Sequence, residues 1–262
     1  MNMIGQSVLQ ERNGLRYFEI PAMAHLGWIK HGFLTRMGGT SHPPYGSLNV
    51  SLDNGDQEED VLRNRRRIAN AFGFDPDRLI LLHQMHQDQI LFLPELTNFP
   101  PPPREYDALI TKAPYAFLGI QTADCLPIFI VDQKQKVVAA IHAGRQGTAL
   151  QITAKVLRNM EEKYGCQLHD LLIAMGPSIG PCCYEIDEKV FLPEWNLFST
   201  SKGDGKRMLD LGRINIAQLK GEGIKEEQIF QVNLCTHCYN VLFFSYRRER
   251  RTGRQLSFIG II

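Results

Sequence analysis

Short apolar runs separated by turns dominate the chain, and they predict a protein built largely from β-strands. The runs are four to seven residues long, and glycine, proline or charged residues bound most of them, which is typical of strands rather than helices. The predicted strands cover residues 16–20, 31–35, 79–82, 89–93, 108–111, 116–122, 126–132, 137–141, 171–175, 229–232 and 256–262.

Three segments have the apolar spacing of amphipathic helices. The first begins near Asp56, where Asp56 and Glu59 have the spacing of a capping box, and ends at Gly73. The second covers about residues 148–164, and a less regular third covers about residues 210–221. A proline run at 100–103 predicts irregular structure there. Without a break in composition, the pattern predicts a single α+β domain over residues 1–262, with a mixed β-sheet covered by helices.

Composition is that of a globular protein and argues against one class of partner. The 262 residues are 44% hydrophobic and 22% charged, and 29 basic residues against 28 acidic ones leave a net charge of +1. A nucleic-acid-binding surface needs a strong basic excess, so we expect no nucleic acid partner. The basic run at 247–254 is interpreted as a solvated turn in preference to a phosphate-binding patch.

The sequence also predicts the compartment. No apolar stretch approaches the roughly 20 residues needed to span a bilayer, and the N-terminus lacks a charged region followed by an apolar core. Six cysteines are too few for a disulfide scaffold, so we expect reduced thiols. These features predict a cytoplasmic protein without a membrane partner.

Three residues of metal-binding type stand where predicted strands end. His86 lies in a polar loop between two runs, Cys125 lies in the turn between two predicted strands, and His142 follows the run 137–141. Imidazole and thiolate are preferred ligands of zinc and copper, and a site with three protein ligands keeps a position open for water or substrate. Taken singly, a buried cysteine or a histidine at a strand end also fits a purely structural role.

Neighbouring residues extend this candidate site. Asp124 shares the turn with Cys125 and is a candidate acid, base or ligand-orienting group. After His142, a turn with glycine leads into a predicted helix, whose N-terminus together with Arg145 suits an anion. Glycine-rich turns at 37–39 and 176–180 do not match nucleoside triphosphate or dinucleotide motifs.

A CxxC motif at 235–238 is interpreted as structural or incidental. A structural zinc site needs four ligands. The other two can come only from Cys182 and Cys183 or from distant histidines. Because adjacent cysteines rarely both bind one zinc ion, this combination is disfavoured.

Several stretches, read together, resemble the YfiH-like laccase-domain family, long labelled multicopper polyphenol oxidase and now associated with purine nucleoside phosphorylase activity. They follow the family's order over nearly the whole chain: HGFLTRMGGTS (31–41), PYGSLNVS (44–51), NRRRIANAFG (64–73), QMH (84–86), DALIT (107–111), QTADCLPIFIVD (121–132), IHAGRQGT (141–148), GPSIGPCCYEI (176–186) and FFSYRR (243–248).

The resemblance implies a metal site and an activity. The family's His–Cys–His ligands match His86, Cys125 and His142, with Zn²⁺ as the first choice of metal and Cu²⁺ as the second. The implied enzyme is a metal-dependent phosphorylase that converts adenosine, inosine and S-methyl-5′-thioadenosine with inorganic phosphate into free base and a ribose 1-phosphate, with adenosine deaminase activity besides. Asp124 and Cys125 are the candidate catalytic residues. Because guanidinium binds phosphate bidentately, the candidate phosphate ligands are Arg36, Arg65, Arg145 and Arg247.

Two motif positions depart from the family pattern. HAGWRGT is HAGRQGT here, so Arg145 and Gln146 replace a Trp–Arg pair, and QVHG is QMHQ, with Gln87 in place of a loop glycine. Neither change affects a predicted metal ligand, but both affect the predicted substrate side. A monomer and a homodimer both fit the sequence.

Three other functions remain open at this point. One is copper-dependent polyphenol oxidation, although laccase chemistry needs several copper ions and the chain has eight histidines. The second is a cysteine hydrolase or amidase with Cys125 as nucleophile, acting on peptidoglycan precursors. The third is a binding protein with a structural metal, disfavoured because three good ligands are found rather than four.

Overall fold

The computed structural model describes residues 3–4, 6–93 and 105–262, so the proline run at 100–103 lies outside the described residues. In this part of the chain the strands are β1 (Met3–Ile4), β2 (Ser7–Arg12), β3 (Leu15–Glu19), β4 (Ile29–Leu34), β5 (Leu79–Leu81), β6 (Ile90–Leu93), β7 (Ala108–Thr111), β8 (Phe117–Thr122), β9 (Leu126–Asp132), β10 (Val137–Ala143), β11 (Leu171–Met175), β12 (Glu185–Asp187), β13 (Ser199–Gly203), β14 (Lys206–Leu209), β15 (Ile229–Gln231) and β16 (Gln255–Ile261). The α-helices there are α1 (Pro21–Ala24), α2 (Glu58–Phe72), α3 (Arg145–Ala149), α4 (Ile152–Tyr164), α5 (Leu211–Gly221) and α6 (Tyr246–Glu249).

Two large mixed sheets organise the described residues. The first has the order β1-β2-β3-β4-β16-β8-β5 and is antiparallel except for the β8–β5 pair. The second has the order β15-β11-β9-β10-β7-β6, and its two outermost pairs are parallel. A small third sheet has the order β12-β14-β13. The predicted α+β class with a mixed sheet is confirmed.

The two large sheets pack face to face, and helices cover their outer faces. Between the sheets, Phe33 of β4 stacks on Phe129 of β9 with ring centroids 4.6 Å apart. Helix α2 packs on the first sheet through Ile68 and Phe72. Helix α4 packs on the second sheet through Val156. The result is four layers in the order helix, sheet, sheet, helix, with the main apolar core between the sheets.

Strand β10 shows how this layering places a functional side chain. The strand is buried along its whole length. Val138 and Ala140 belong to the core between the sheets, whereas Val137 and Ala139 belong to the core under α4. Because side chains alternate along a strand, His142 lies on the same side as Ala140. The strand therefore carries this imidazole to the end of the layer between the two sheets.

Most predicted strands are confirmed to within two residues at each end. The ranges 108–111, 126–132 and 171–175 are unchanged in β7, β9 and β11. The apolar pattern does not predict β2 or the small third sheet. Strand β13 is mostly exposed and polar, so it lacks the apolar signal on which strand prediction depends.

The predicted helices need two corrections. The capping box is wrong, because Asp56 Oδ1 accepts the N–H of Gln57 at 2.8 Å and α2 has no side-chain cap. The predicted helix over 148–164 is two helices, α3 and α4, separated at Gln151, whose φ of 59° is left-handed. Helix α5 follows Asp210, whose carboxylate caps its N-terminus. None of the helices in the described ranges has the length and apolar character needed to cross a bilayer.

Candidate functional site

The structure brings His86, Cys125 and His142 together at the edge where the two large sheets meet. One donor atom from each lies within 4.8 Å of the other two. Cys125 Sγ is 3.9 Å from His86 Nδ1, and the two imidazole centroids are 4.7 Å apart. In a tetrahedral zinc site with bonds of about 2.0–2.3 Å, sulfur and nitrogen donors lie about 3.5 Å apart. The three side chains are therefore within a small adjustment of a metal-binding arrangement.

Asp107, a residue that the sequence analysis missed, holds two of these side chains in place. Its buried carboxylate accepts the N–H groups of Met85, His86 and Gln87 at 3.2, 3.0 and 2.7 Å. His142 Nδ1 lies 2.7 Å from Asp107 Oδ1. A carboxylate on one imidazole nitrogen fixes the ring orientation and leaves the other nitrogen for a metal. The available signal was weak, an aspartate directly before strand β7.

Gly144 allows the three side chains to converge. A Cβ at this position would lie 2.9 Å from His86 Nδ1 and 3.2 Å from Cys125 Sγ, so the backbone runs directly against the donor atoms. His86 and Asp124 have left-handed φ values of 60° and 97°. Strained non-glycine backbone of this kind clusters at functional sites.

Cys125 and His142 stabilise each other's charged forms. Burial raises the pKa of the Cys125 thiol, but the facing His142 and His86 imidazoles outweigh burial and lower that pKa to about 6. Burial lowers the pKa of His142, whereas the Cys125 thiolate and Asp107 raise it to about 9. Because the thiolate is the form that binds metals and acts as a nucleophile, the site favours the reactive form of Cys125.

A cavity of about 460 Å³ opens onto the trio. Small-molecule sites commonly occupy about 300–1,000 Å³. The polar part of the wall contains Ser51, Asp53, Asn54, Gln84, Gln121, Thr122, Asp124, Tyr184, Tyr246, Arg247, Arg250 and Arg254. The volume and the lining fit a polar organic molecule that also contacts an anion-binding wall.

Three arginines from the basic run line this cavity, which corrects the solvated-turn interpretation of that run. Arg247 donates to the carbonyl oxygen of Glu185 at 2.8 Å. Arg254 is half-buried; burial lowers its pKa, and the charges of Cys125 and other cavity residues act in the opposite direction. Sequence reasoning predicted Arg247 and missed Arg250 and Arg254. Several guanidinium groups on one wall are suited to phosphate.

Two of the other predicted phosphate ligands, Arg36 and Arg65, hold loops together in the structure. Arg36 donates to backbone carbonyls and pairs with Glu249 at 2.7 Å. Arg65 donates twice to the carbonyl oxygen of Val50, at 2.9 and 2.7 Å. Arg145 is the first residue of α3. Arg36, Arg65 and Arg145 are not among the described residues that line the cavity, although the charge of Arg145 acts on the lining residue Tyr184. The phosphate-binding role of Arg145 stays a prediction.

Asp124 acts on the turn that carries Cys125. Its Oδ1 accepts a hydrogen bond from Thr236 Oγ1 and its Oδ2 accepts the N–H of Arg247, both at 2.7 Å. Its backbone carbonyl accepts the N–H of Ile179 at 2.8 Å. These bonds favour the ligand-orienting role over that of a free acid or base. His83 lies outside the trio, with its Nδ1 3.7 Å from a carboxylate oxygen of Asp53.

Fold and site together define a class of protein, an α+β protein whose His–Cys–His centre opens onto a small-molecule cavity. A family profile described as multi-copper polyphenol oxidoreductase laccase matches residues 30–262. The chain belongs to this laccase-like family, as its motifs indicated.

Relatives and solved structures agree with this assignment. The chain is 35% identical over 243 residues to "Purine nucleoside phosphorylase YlmD" of Geobacillus stearothermophilus, covering 87% of this chain and 89% of that protein. It is 35% identical over 234 residues to "Purine nucleoside phosphorylase YfiH" of Escherichia coli, covering 87% and 92%. The crystal structure of YlmD from Geobacillus stearothermophilus matches with a TM-score of 0.88 at 32% identity, covering 98% of this chain and 99% of that one.

Proposed function

We propose that this protein is a metal-dependent purine nucleoside phosphorylase that acts on adenosine, inosine and S-methyl-5′-thioadenosine. The observation that carries the proposal is the His86–Cys125–His142 set opening onto a cavity whose wall carries three arginines. Relatives that share 35% of their residues with this chain bear the name of this activity. A cavity that combines anion-binding and polar groups suits a substrate pair of phosphate and nucleoside.

The reaction requires phosphate and nucleoside to bind side by side, with a phosphate oxygen facing the ribose C1′. An oxygen of hydrogen phosphate forms a bond to the ribose C1′ while the bond from C1′ to the purine nitrogen breaks, and the proton of the hydrogen phosphate passes to the departing base. Arg247, Arg250 and Arg254 would hold the phosphate through charge and paired hydrogen bonds. The aromatic faces of Tyr184 and Tyr246 in the same wall would contact the purine ring.

The donor set fits Zn²⁺ first and Cu²⁺ second, since two imidazoles and a thiolate at this spacing leave one tetrahedral position open. When bound, such an ion would supply a Lewis acid at the cavity wall, which also supports the proposed adenosine deamination. Asp107 would orient His142 for binding, and Asp124 would fix the turn that presents Cys125.

Phosphate dependence tests the proposal. Purified protein is incubated with each nucleoside, with and without inorganic phosphate, and the products are separated by chromatography. We expect free base only when phosphate is present, together with loss of activity on chelation. Equal release of base without phosphate would contradict phosphorolysis.

A matched pair of arginine variants tests the anion wall. Arg254→Gln should raise the KM for phosphate about 10-fold or more, because a charge-assisted hydrogen bond contributes about 1.5–3 kcal/mol. Arg251→Gln is the control, since Arg251 lies in the same run but its side chain donates to Tyr45 Oη outside the cavity. A KM for phosphate that is unchanged in Arg254→Gln would remove this residue from the proposed site.

One arrangement favours a second candidate function, that of a cysteine hydrolase. Cys125, His142 and Asp107 stand in the order of nucleophile, base and orienting carboxylate. Such an enzyme would hydrolyse its substrate without phosphate and would keep its activity on chelation. Copper-dependent phenol oxidation is less favoured. Among the described residues, the one other cluster of potential ligands consists of cysteines alone, whereas that chemistry needs further imidazole-rich copper sites.

A further inference from the structure

A second cluster of metal-binding side chains lies apart from the His–Cys–His set. Cys182 and Cys183 follow the glycine-rich turn after β11, and Cys235 and Cys238 form the CxxC motif after β15. The four Sγ atoms all lie within 4.8 Å of one another. More than 50 residues of chain separate the two pairs, so the fold itself brings them together.

The sulfur distances fit a shared ion better than a disulfide. Cys182 Sγ and Cys183 Sγ lie 3.6 and 3.4 Å from Cys238 Sγ. A disulfide needs about 2.05 Å between its sulfurs, and all six cysteines are free thiols. Four sulfurs around a zinc ion with bonds of about 2.3 Å lie about 3.8 Å apart. The observed sulfur–sulfur distances are therefore close to the edge length of that tetrahedron.

The backbone around the CxxC motif provides an independent observation. Cys235 Sγ accepts the N–H of Gly180 at 3.2 Å and is also hydrogen-bonded by the N–H groups of His237 and Cys238. Several backbone N–H groups converging on one sulfur stabilise the thiolate, which is the form that binds a metal. The backbone of Gly180 also lies close to the cluster, because a Cβ there would lie 3.3 Å from Cys235 Cβ and 3.4 Å from Cys182 Sγ.

Positive charge lies close to the same loop. Arg248 Nη1 donates to the carbonyl oxygens of Thr236 and His237, at 2.8 and 2.6 Å, within the CxxC motif. Arg213 lines the cavity that adjoins Cys182, Cys235 and Cys238. Four thiolates around a divalent ion keep a net negative charge, and neighbouring guanidinium groups offset it.

We propose that Cys182, Cys183, Cys235 and Cys238 form a structural zinc site with four thiolate ligands, separate from the His–Cys–His set. Four protein ligands fill the tetrahedron and leave no position for substrate, so this site is structural rather than catalytic. Cys182 and Cys183 thereby supply the other two ligands, a combination that the sequence analysis disfavoured because the two cysteines are adjacent. In the structure, a turn carries both cysteines and lets both sulfurs approach Cys238.

The position of the cluster indicates what the metal would stabilise. Tyr184 follows Cys183 directly and lines the cavity of the proposed active site. Thr236, inside the CxxC motif, holds the carboxylate of Asp124 beside Cys125. A metal joining the two loops would therefore fix one wall of that cavity. Its loss should lower thermal stability and raise the KM for nucleoside more than it lowers kcat.

Metal counting in a chain that lacks the first site provides the test. The His142→Ala variant is purified under reducing conditions with zinc supplied, and bound zinc is measured by mass spectrometry. We expect about one zinc per chain in this background. Adding Cys183→Ser and Cys238→Ser should remove the zinc, whereas adding Cys166→Ala should leave it bound, because Cys166 lies outside the cluster, in the core under α4. His142→Ala protein without zinc would overturn the proposal.

Cobalt substitution keeps the test valid if the cysteine variants fail to fold. Cobalt-loaded His142→Ala protein should show the intense visible bands of tetrahedral cobalt with four thiolates, together with sulfur-to-cobalt charge transfer. A spectrum without these bands, or a disulfide from Cys238 to Cys182 or Cys183 found by mass spectrometry of the native chain, would contradict the assignment. These readouts do not depend on phosphorolysis, so failure of the proposed activity leaves this test unaffected.

Discussion

At the residue scale, the geometry of the candidate site depends on Asp107 as much as on the three ligands. Its carboxylate positions His142 through Nδ1 and holds the loop that carries His86. Sequence reasoning found the ligands because imidazole and thiolate at strand ends have a recognisable chemistry, and because their motifs match a family. It missed Asp107, since no local pattern shows that this carboxylate meets two loops from other parts of the chain.

Replacing Asp107 should weaken metal binding without removing a ligand. The Asp107→Asn side chain cannot accept all of the hydrogen bonds that the carboxylate accepts, so His142 and His86 lose orientation. We expect the zinc affinity of this site to fall about 10- to 100-fold, with a parallel loss of phosphorolysis. Competition with a chromophoric chelator measures the affinity.

Asp132→Asn is the matched control for this change. Asp132 is another buried carboxylate that accepts backbone N–H groups, and it lies at the end of β9 opposite to Cys125. The Asp132→Asn variant should bind zinc at the His–Cys–His set with the same affinity as the parent protein. An Asp107→Asn variant that binds zinc as tightly as the parent would show that Asp107 does not position the ligands.

Gly144 provides a second test at the same scale. The added methyl group of Gly144→Ala would lie 2.9 Å from His86 Nδ1, closer than a real Cβ approaches another atom. His86 must then move, so we expect the zinc affinity of the His–Cys–His set and kcat/KM to fall by about 10-fold or more. Gly221→Ala, where a Cβ meets nothing within 4 Å, should change neither. Parent-like zinc affinity of the His–Cys–His set in Gly144→Ala would contradict the close approach.

At the scale of elements, apolar runs predicted most strands because those strands are buried on one or both faces. The helix prediction over 148–164 was wrong at Gln151, since residues that favour helices on both sides conceal the left-handed residue between them. Strand β13 of the third sheet escaped prediction because it is mostly exposed and lacks apolar residues. The apolar pattern thus predicted the buried strands and helices. It did not predict a helix break caused by a left-handed residue or a strand exposed to solvent.

His31 on β4 should make stability depend on pH. Its Nε2 accepts the N–H of Ile20 at 2.9 Å, and burial lowers its pKa to about 4. An unfolded chain has a histidine pKa near 6.5, so protonation favours unfolding. The stabilisation is complete above about pH 6.5 and is lost as the pH falls towards 4, by about 3 kcal/mol in total.

Urea unfolding at pH 7, 5 and 4 measures this effect. His31→Gln can still accept the N–H of Ile20, so it should unfold with a smaller decrease in the free energy of unfolding between pH 7 and 4. His169→Gln, at a histidine whose side chain is 69% exposed, should retain the parent's decrease. The same decrease in His31→Gln as in the parent would rule out His31 as the source.

At the scale of the whole molecule, two sheets packed between helices place the trio at their common edge. The sequence predicted an α+β protein, but not the four layers or the order of strands within the sheets. Strand order depends on pairings between distant segments, such as β16 between β4 and β8, that no local pattern specifies. The family motifs gave different information. Because they follow the family's order along the chain, they indicated family membership, which apolar periodicity alone could not do.

The packing between the sheets should dominate stability. Phe129 is fully buried and stacks on Phe33, so Phe129→Ala should lower the free energy of unfolding by about 3–5 kcal/mol. Leu197→Ala, at a side chain that is 80% exposed, should change it by less than about 0.5 kcal/mol. Chemical denaturation compares the two. A similarly small effect for both variants would contradict the layered core.

The most direct test of the proposed function follows the phosphate itself. Phosphorus NMR of the zinc-loaded protein with adenosine and inorganic phosphate should show a new sugar 1-phosphate signal that grows in step with adenine, and His142→Ala should produce neither. Adenine formed while the inorganic phosphate signal stays constant would contradict phosphorolysis at the His86–Cys125–His142 site.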